Sequence, residues 1–440
     1  MTIRFWLGPL LGVSLSLTAC AGDGWLGGDD EVRMPGERIA VLLLEEGVQA
    51  DPRLANEPIQ LPPPRTNATW SQSGGTANHA PGHLATADQL SRIWTANIGR
   101  GDGSRRRLTA RPVAAEGKLY TIDTSGDVRA FSLDEGERVW SYQVGSDQMG
   151  LAGGLAYENG WLFVTTGTGE LVALNAATGT EIWRQDLRVP IRAAPAVVEA
   201  TVIVIAADNK SYAFNAQDGE QLWQHTGFAE PAGLLGGPTP ASDGRIAVIA
   251  YSSGEVFGIQ ADTGEVRWIE AVQRPRRTLA IDAIADIEGN PVILDGVVYV
   301  AGNGGEMVAI DSEIGQRLWD VDLTATQTPW VVGDYLYVVT TRGEVVCALR
   351  DNGRVRWVSP LQNRVDPENP NSRAIRWSGP VLAGDQLVIV GTNGSVVSMS
   401  PYTGEILGEI DLDDPMRIAP IVVDQTVLFL DQDGTIHAFR

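Results

Sequence analysis

Short apolar stretches alternate with glycine-containing turns along most of this chain. In the segment GELVALNAATGTEIW, residues 169–183, two runs of branched and aromatic residues flank a turn that ends in Gly179. The pattern predicts a β-hairpin, because glycine adopts the positive φ angle that tight hairpin turns require. Val172 would point to one face of the strand and Leu171 to the other, and both faces are apolar. The predicted sheet must therefore be covered on both sides.

The hairpin recurs in seven copies whose turn glycines are 38 to 51 residues apart. These glycines are Gly136, Gly179, Gly219, Gly264, Gly315, Gly353 and Gly404. A repeat period of this length indicates a stacked array or a propeller. Two more apolar runs precede each hairpin, as in NPVILDGVVYVAG from Asn290, so each unit has about four strands. Because a propeller blade is packed between two neighbours, we predict an all-β fold, an eight-bladed β-propeller of four-stranded blades.

The two ends of the repeat region predict how the ring closes. The last copy, residues 434–440, reaches the C-terminus without a tryptophan strand, whereas SRIWTANIG, residues 91–99, is a tryptophan strand without a hairpin. We predict that this N-terminal strand completes the eighth blade, so that the propeller comprises residues 91–440 and has no free edge at its closure. Gly408 replaces the tryptophan of the seventh copy, and the repeat tryptophans are Trp94, Trp140, Trp183, Trp223, Trp268, Trp319 and Trp357.

The N-terminal segment MTIRFWLGPLLGVSLSLTAC predicts an export signal, residues 1–19. Its apolar run would form a helix of roughly 20 Å, too short for a bilayer core of about 30 Å. The run ends in Leu-Thr-Ala-Cys, which matches the bacterial lipobox and implies lipidation of Cys20. Ala21 resembles the sorting signal for the outer membrane, so we expect a lipid-anchored chain on its periplasmic face. The alternative is an ordinary cleaved signal with an incidental cysteine.

Residues 20–90 differ in composition from the repeats. After Cys20, GDGWLGGDDE indicates a flexible tether, and NEPIQLPPPRTNATW indicates an extended Pro-rich arm that we expect to lie on the propeller. The formal net charge of −22 argues against binding to nucleic acid or to anionic membrane surfaces. Contact with the membrane would therefore be made only through the lipid. Cys347 lies in a strand sequence and is expected to be a small core residue.

One long insert carries mixed charge. AVQRPRRTLAIDAIADIEGNPV, residues 271–292, places Arg276 and Arg277 ahead of Asp286 and Glu288 among apolar residues. This combination is typical of a recognition loop, and the alternative is a structural loop whose charges pair with one another. The basic run at residues 105–107 and the polar segment 362–377 are predicted to be surface loops.

The repeat A-x-x-x-x-T/D-G-x-x-x-W resembles the repeat of pyrroloquinoline-quinone (PQQ) enzymes, in which the tryptophan docks between blades. Together with the lipobox, it resembles the BamB family of outer-membrane assembly lipoproteins. That resemblance implies a propeller without cofactor or catalytic activity. It also implies binding to the POTRA domains of BamA, alongside other components of the BAM complex, in support of outer-membrane protein folding and insertion.

The resemblance also implies two docking loops. In AGLLGGPTP, residues 232–240, Leu234 matches a family leucine, while Leu235 stands where the family has an arginine. In ADIEGNP, residues 285–291, Asp286 and Glu288 match a pair of acidic residues. Arg276 and Arg277 are not part of the family pattern, but as nearby basic residues they are our candidates to supply the charge that Leu235 lacks.

Three other functions remain open. A quinoprotein dehydrogenase would share the repeat, but the adjacent cysteine pair of the alcohol enzymes is absent. A metal site is disfavoured because Pro81 and Gly82 separate His79 from His83, and the other two histidines are isolated. A scaffold for another envelope complex would share every feature except the two loop matches. We therefore predict no cofactor, metal or catalytic residue.

Overall fold

The computed structural model of this protein describes residues 47–104, 106–145, 152–191, 193–228, 236–272 and 287–440. Gly47–Arg440 form one compact unit. Within the described residues, the strands form eight four-stranded antiparallel sheets, which are the blades of a β-propeller ring. A 3-10 helix, Pro52–Leu54, precedes them. The predicted eight-bladed all-β fold is confirmed.

The strands follow one another in chain order around the ring. The first strand, β1 (Arg92–Asn97), belongs to the last blade. Blades 1 to 3 are formed by β2 (Val113–Ala115), β3 (Lys118–Ile122), β4 (Asp127–Ser132), β5 (Arg138–Gln143); β6 (Ala152–Glu158), β7 (Trp161–Thr166), β8 (Glu170–Asn175), β9 (Glu181–Asp186); β10 (Ala196–Val198), β11 (Thr201–Ile205), β12 (Lys210–Asn215) and β13 (Gln221–Thr226).

The remaining blades repeat this order. Blades 4 to 6 are formed by β14 (Ala241–Ser242), β15 (Ile246–Ala250), β16 (Glu255–Gln260), β17 (Val266–Ala271); β18 (Val292–Leu294), β19 (Val297–Ala301), β20 (Met307–Asp311), β21 (Arg317–Val321); β22 (Trp330–Val332), β23 (Tyr335–Val339), β24 (Glu344–Leu349) and β25 (Val355–Pro360). Blade 7 is formed by β26 (Trp377–Ala383), β27 (Gln386–Gly391), β28 (Ser395–Met399) and β29 (Ile406–Asp411). In blade 8, β1 is joined by β30 (Ile421–Val423), β31 (Thr426–Leu430) and β32 (Thr435–Phe439).

The N-terminal strand closes the ring as predicted. Strand β1 pairs antiparallel with β32, and Trp94 lies opposite Ala438. The backbones of Ser91 and Arg440 exchange two hydrogen bonds, of 3.1 and 3.0 Å. The two ends of the described propeller are thus joined inside one sheet, which leaves no open edge between them.

Each repeat tryptophan lies opposite a small residue on the neighbouring strand. The pairs include Ala130 with Trp140, Gly258 with Trp268 and Cys347 with Trp357. A small side chain is needed there because the indole ring occupies the space beside it; a Cβ on Gly258 would lie 2.1 Å from the ring of Trp268. Cys347 is fully buried, and burial raises the pKa of its thiol, so it fits the role of a small core residue.

Seven indole N–H groups in the described part of the propeller join adjacent blades. Each donates a hydrogen bond of 2.7 to 3.3 Å to the carbonyl of the residue three positions before the turn glycine of the next blade. The ring also lies against the turn glycine, as Trp140 lies against Gly179. The carbonyls belong, in order from Trp94 to Trp357, to Leu133, Ala176, Ala216, Ala261, Ser312, Arg350 and Pro401.

Gly408 occupies the eighth position for a geometric reason. It lies on β29 of blade 7 and faces the junction with blade 8. In blade 8 the third and fourth strands are β32 and β1, which are the two ends of the propeller and are not joined by a turn. A tryptophan at this position would therefore have no turn glycine to cover.

The arm before the propeller crosses the innermost strands of all eight blades. Its residues 67–84 exchange hydrogen bonds with the blades in turn. The blade residues contacted are Ala114, Tyr157, Val197, Ser242, Ile293, Trp330, Leu382 and Val422. These residues lie on the first strand of each blade, so the arm closes one end of the central channel.

No helix in the described part of the chain is long and apolar enough to cross a bilayer.

Candidate functional site

The two loops singled out in the sequence flank the same blade. The first enters blade 4 at β14, and the second leaves blade 4 after β17. In a four-stranded antiparallel blade, the first strand starts at the same end of the blade at which the fourth strand finishes. Both loops therefore emerge on one face of the propeller. The arm lies at the other end of the channel, near the turns between the first and second strands.

Asn290 ties the bases of these loops together. Its side-chain oxygen accepts a hydrogen bond of 2.9 Å from the backbone N–H of Thr239, which follows the first loop. Its own N–H donates to the hydroxyl of Thr328 at 3.1 Å. Ile287 is fully buried and packs in one apolar cluster with Val272, which anchors both ends of the second loop. The bases of the loops are therefore fixed relative to each other.

Phe228 presents an exposed aromatic ring at the start of the first loop. Phe228 is 65% exposed, although hydrogen bonds hold its backbone N–H and carbonyl. The N–H donates to Glu255 at 3.2 Å, and the carbonyl accepts from the side chain of Asn209 at 2.8 Å. Phe228 was not among the residues predicted from the sequence; its one signal there is a phenylalanine in HTGFAEPAG, after the strand has ended.

The residues predicted for partner binding are mostly outside the described ranges. Leu234, Leu235, Arg276, Arg277 and Asp286 fall there, as does Cys20. Glu288 is described, and it lines the central cavity. The structure therefore adds Phe228 to this face and locates Glu288 in the cavity wall, and the partner-binding role of all the predicted residues stays a prediction.

The central channel forms a cavity of about 660 Å³ between the loop face and the arm. Ser73 of the arm lines it, and hydroxyl and amide side chains such as Thr326 and Gln327 contribute polar groups to a wall that also has apolar parts. Arg111 lies deep in it and donates to the carbonyl of Ser73 at 3.3 Å. Loss of solvation lowers the pKa of Arg111 to about 10, so the guanidinium stays charged at neutral pH.

The histidines considered as metal ligands are bound to backbone carbonyls instead. Nδ1 of His79 lies 2.8 Å from the carbonyl oxygen of Pro291, and Nδ1 of His83 lies 2.7 Å from that of Pro62. Both residues belong to the arm, and both side chains are buried. Among the described residues, no three His, Cys, Asp or Glu side chains are grouped closely enough to hold a metal ion.

Comparison with known proteins gives the family. The chain matches the family described as "Outer membrane protein assembly factor BamB" over residues 124–359 and 362–440. The assembly factor BamB of Salmonella typhimurium is 25% identical over 355 residues, which are 79% of this chain and 88% of that protein.

Solved structures agree on the fold. BamB of Moraxella catarrhalis has a TM-score of 0.69 at 20% identity and covers 80% of this chain and all of its own. The quinohemoprotein alcohol dehydrogenase of Comamonas testosteroni has a TM-score of 0.65 at 15% identity, covering 84% of this chain and 80% of its own. The second likeness shows that the fold is shared with enzymes and does not by itself distinguish function. The match to the family over most of the repeat region does distinguish the lineage: this chain belongs to the outer membrane protein assembly factor BamB family.

Proposed function

We propose that this protein is a non-catalytic scaffold of the outer-membrane β-barrel assembly machinery, whose loop face binds the POTRA domains of BamA. Membership of the BamB family supports the assembly role. The observation that supports docking through this face is the pair of loops that flank blade 4, with the ring of Phe228 exposed beside them.

Phe228 has the properties of an anchor residue. Exposed aromatic side chains that become buried on binding supply much of the energy of protein interfaces. Because its backbone is already held by Asn209 and Glu255, little conformational freedom is lost when a partner covers the ring. The acidic pair Asp286 and Glu288 would add charge complementarity, which mainly sets specificity and association rate.

The docking surface can be tested with two variants and one control. Phe228→Ser should weaken binding to the purified POTRA domains by about tenfold or more, as expected for loss of an aromatic anchor. Asp286→Lys with Glu288→Lys should also weaken binding and make it less sensitive to salt. The matched control is Glu137→Lys with Glu220→Lys, two exposed carboxylates in turns at the opposite face.

Binding is measured by titration calorimetry, and thermal unfolding is recorded for each variant. Loss of affinity in both loop-face variants, with unchanged melting and an unaffected control, supports the proposal. Equal affinity in all four proteins would place the contact elsewhere on the molecule.

We also propose that the chain is anchored by lipid at Cys20 to the periplasmic face of the outer membrane. A mild-detergent pull-down from the native envelope, read by mass spectrometry, tests the anchor and the assembly partner together. A lipid adduct at Cys20 and recovery of BamA are expected. Recovery of a different envelope complex without BamA would be consistent with a scaffold but would contradict the proposed role in outer-membrane protein assembly.

A further inference from the structure

The central cavity is lined by more positive charge than the rest of the chain would suggest. Arg107, Arg111, Arg376 and Arg417 all line it, and we call these four residues the arginine well. Among the described lining residues, Glu288 is the one carboxylate. The whole chain has a formal net charge of −22, so a concentration of arginines in one cavity is opposite to the overall charge. Such local charge in a concave site focuses the electrostatic potential.

Three consecutive interblade loops supply the arginines at the loop-face end of the cavity. Arg107 precedes blade 1, Arg376 precedes blade 7 and Arg417 precedes blade 8. The backbone of Arg376 donates to the hydroxyl of Thr392 at 3.0 Å, and the carbonyl of Arg417 accepts from Ser378 at 2.7 Å. The attachment points of these long side chains are thus fixed by neighbouring strands.

The arginines are held near one another. Partial burial lowers the pKa of Arg417; Asp102 opposes this change, while Arg376, Arg107 and Arg373 add to it. Asp102 is also engaged by the backbone N–H of Leu108, at 2.6 Å. Within the described part of the chain, none of the four well arginines forms an ion pair with a carboxylate. The four guanidinium groups outnumber the nearby carboxylates Asp102 and Glu288, so the excess of like charge destabilises the empty site, and a bound anion would relieve that repulsion.

We propose that the arginine well binds a small polyanion carrying carboxylate or phosphate groups. Guanidinium groups recognise both kinds of oxyanion through paired hydrogen bonds. The cavity volume of about 660 Å³ lies within the range of small-ligand sites, roughly 300–1,000 Å³. Hydroxyl and amide groups on the wall, such as Thr341 and Asn303, can donate further hydrogen bonds. Because the arm closes the far end of the channel, the ligand would enter from the loop face.

This site does not depend on the proposed assembly role, since the residues that line the cavity define it by themselves. The test is calorimetric titration of the intact protein at low ionic strength with citrate and, separately, with tripolyphosphate. The test variant is Arg376→Glu with Arg417→Glu; both residues are exposed, so the fold should tolerate the change. Each reversal should lower affinity by about tenfold, because each removes a charge-assisted hydrogen bond.

The control is Arg138→Glu, a reversal of the same charge on an exposed outer strand. Binding that is lost in the double variant and kept in the control supports the proposal; citrate alone or tripolyphosphate alone identifies the oxyanion preferred. Equal binding by the double variant, or no binding by the unmodified protein, overturns it. Binding of a hexaglutamate peptide without either small ion would also overturn it and assign the cavity mouth to an acidic polypeptide. Thermal unfolding of each variant without ligand verifies that the fold is intact.

Discussion

Trp94 lies directly against Gly136, and its indole N–H donates to the carbonyl of Leu133 at 3.0 Å. Trp94 belongs to β1 in the closing blade, whereas Gly136 lies in the β4–β5 turn of blade 1. The contact therefore joins the start of the propeller to its first complete blade. Two separate features require glycine at position 136: its φ is +71°, and a Cβ there would come 2.5 Å from Cε3 of the indole ring.

Gly136→Ala should lower the free energy of unfolding by about 2–4 kcal/mol. About 1 kcal/mol comes from placing a side chain at positive φ, and the remainder comes from overpacking against the ring. The matched control is Gly117→Ala in the same blade, where φ is +68° and nothing lies within 4 Å of the added Cβ. Urea unfolding of both variants measures the difference. If the two substitutions cost the same, the contact with Trp94 contributes nothing beyond backbone strain.

Gly408→Trp should leave stability within about 0.5 kcal/mol of the unmodified protein, although it restores the repeat consensus. The position is exposed, and blade 8 has no turn glycine for the ring to cover, so the new side chain buries little surface. By contrast, Trp357→Gly at the preceding junction should cost about 3 kcal/mol or more, because it leaves a cavity and leaves the carbonyl of Pro401 with only the hydrogen bond from the Tyr337 hydroxyl. Thermal unfolding compares the two. A clear stabilisation by Gly408→Trp would show that the ring can dock at the closure by another route.

The repeat spacing was sufficient to predict the blades, their number and the closure by Trp94. These features depend on local pattern and on a short list of turn and stacking residues that recur at every junction. The path of the arm was not predictable in this way. Its contacts, such as Gln72 with Val197, join residues far apart in sequence and follow no period.

The candidate site was also only partly predictable. Glu288 was found from its acidic partner in the loop, but Phe228 was overlooked because a single aromatic residue carries no periodic signal. The convergence of Arg107 with Arg376 and Arg417 could not be predicted either, because it depends on three loops meeting around the channel. In the sequence, two of these loops read as ordinary polar surface.

His79 should make stability depend on pH. Burial lowers the pKa of its imidazole from 6.5 to about 4, against the raising effect of its hydrogen bond to Pro291. The unfolded chain therefore binds the proton before the folded chain does. The contribution of the neutral His79 to stability should be fully present above about pH 6.5. The free energy of unfolding should then fall by up to about 3 kcal/mol as the pH drops toward 4.

The variant that isolates this effect is His79→Asn, since asparagine tolerates the φ of 58° found there. Other groups also titrate in this range, so the quantity to compare is the change in unfolding free energy between about pH 7 and pH 4 in each protein. The variant should show the smaller change, even if it is less stable at both values. An identical pH dependence would mean that His79 is protonated equally in the folded and unfolded states.

Gln72→Met should destabilise the propeller through the arm. The side chain of Gln72 is buried and makes the two backbone hydrogen bonds that a neighbouring strand would make. Its amide nitrogen donates to the carbonyl of Val197 at 2.7 Å, and its amide oxygen accepts from the N–H of Val197 at 3.2 Å. Methionine keeps the length and volume but can make neither bond, which leaves two buried backbone groups without their partner. We expect a loss of about 3 kcal/mol in urea unfolding, whereas the exposed control Gln221→Met should change stability by less than about 0.5 kcal/mol. If both variants unfold alike, the arm contacts the channel without stabilising it.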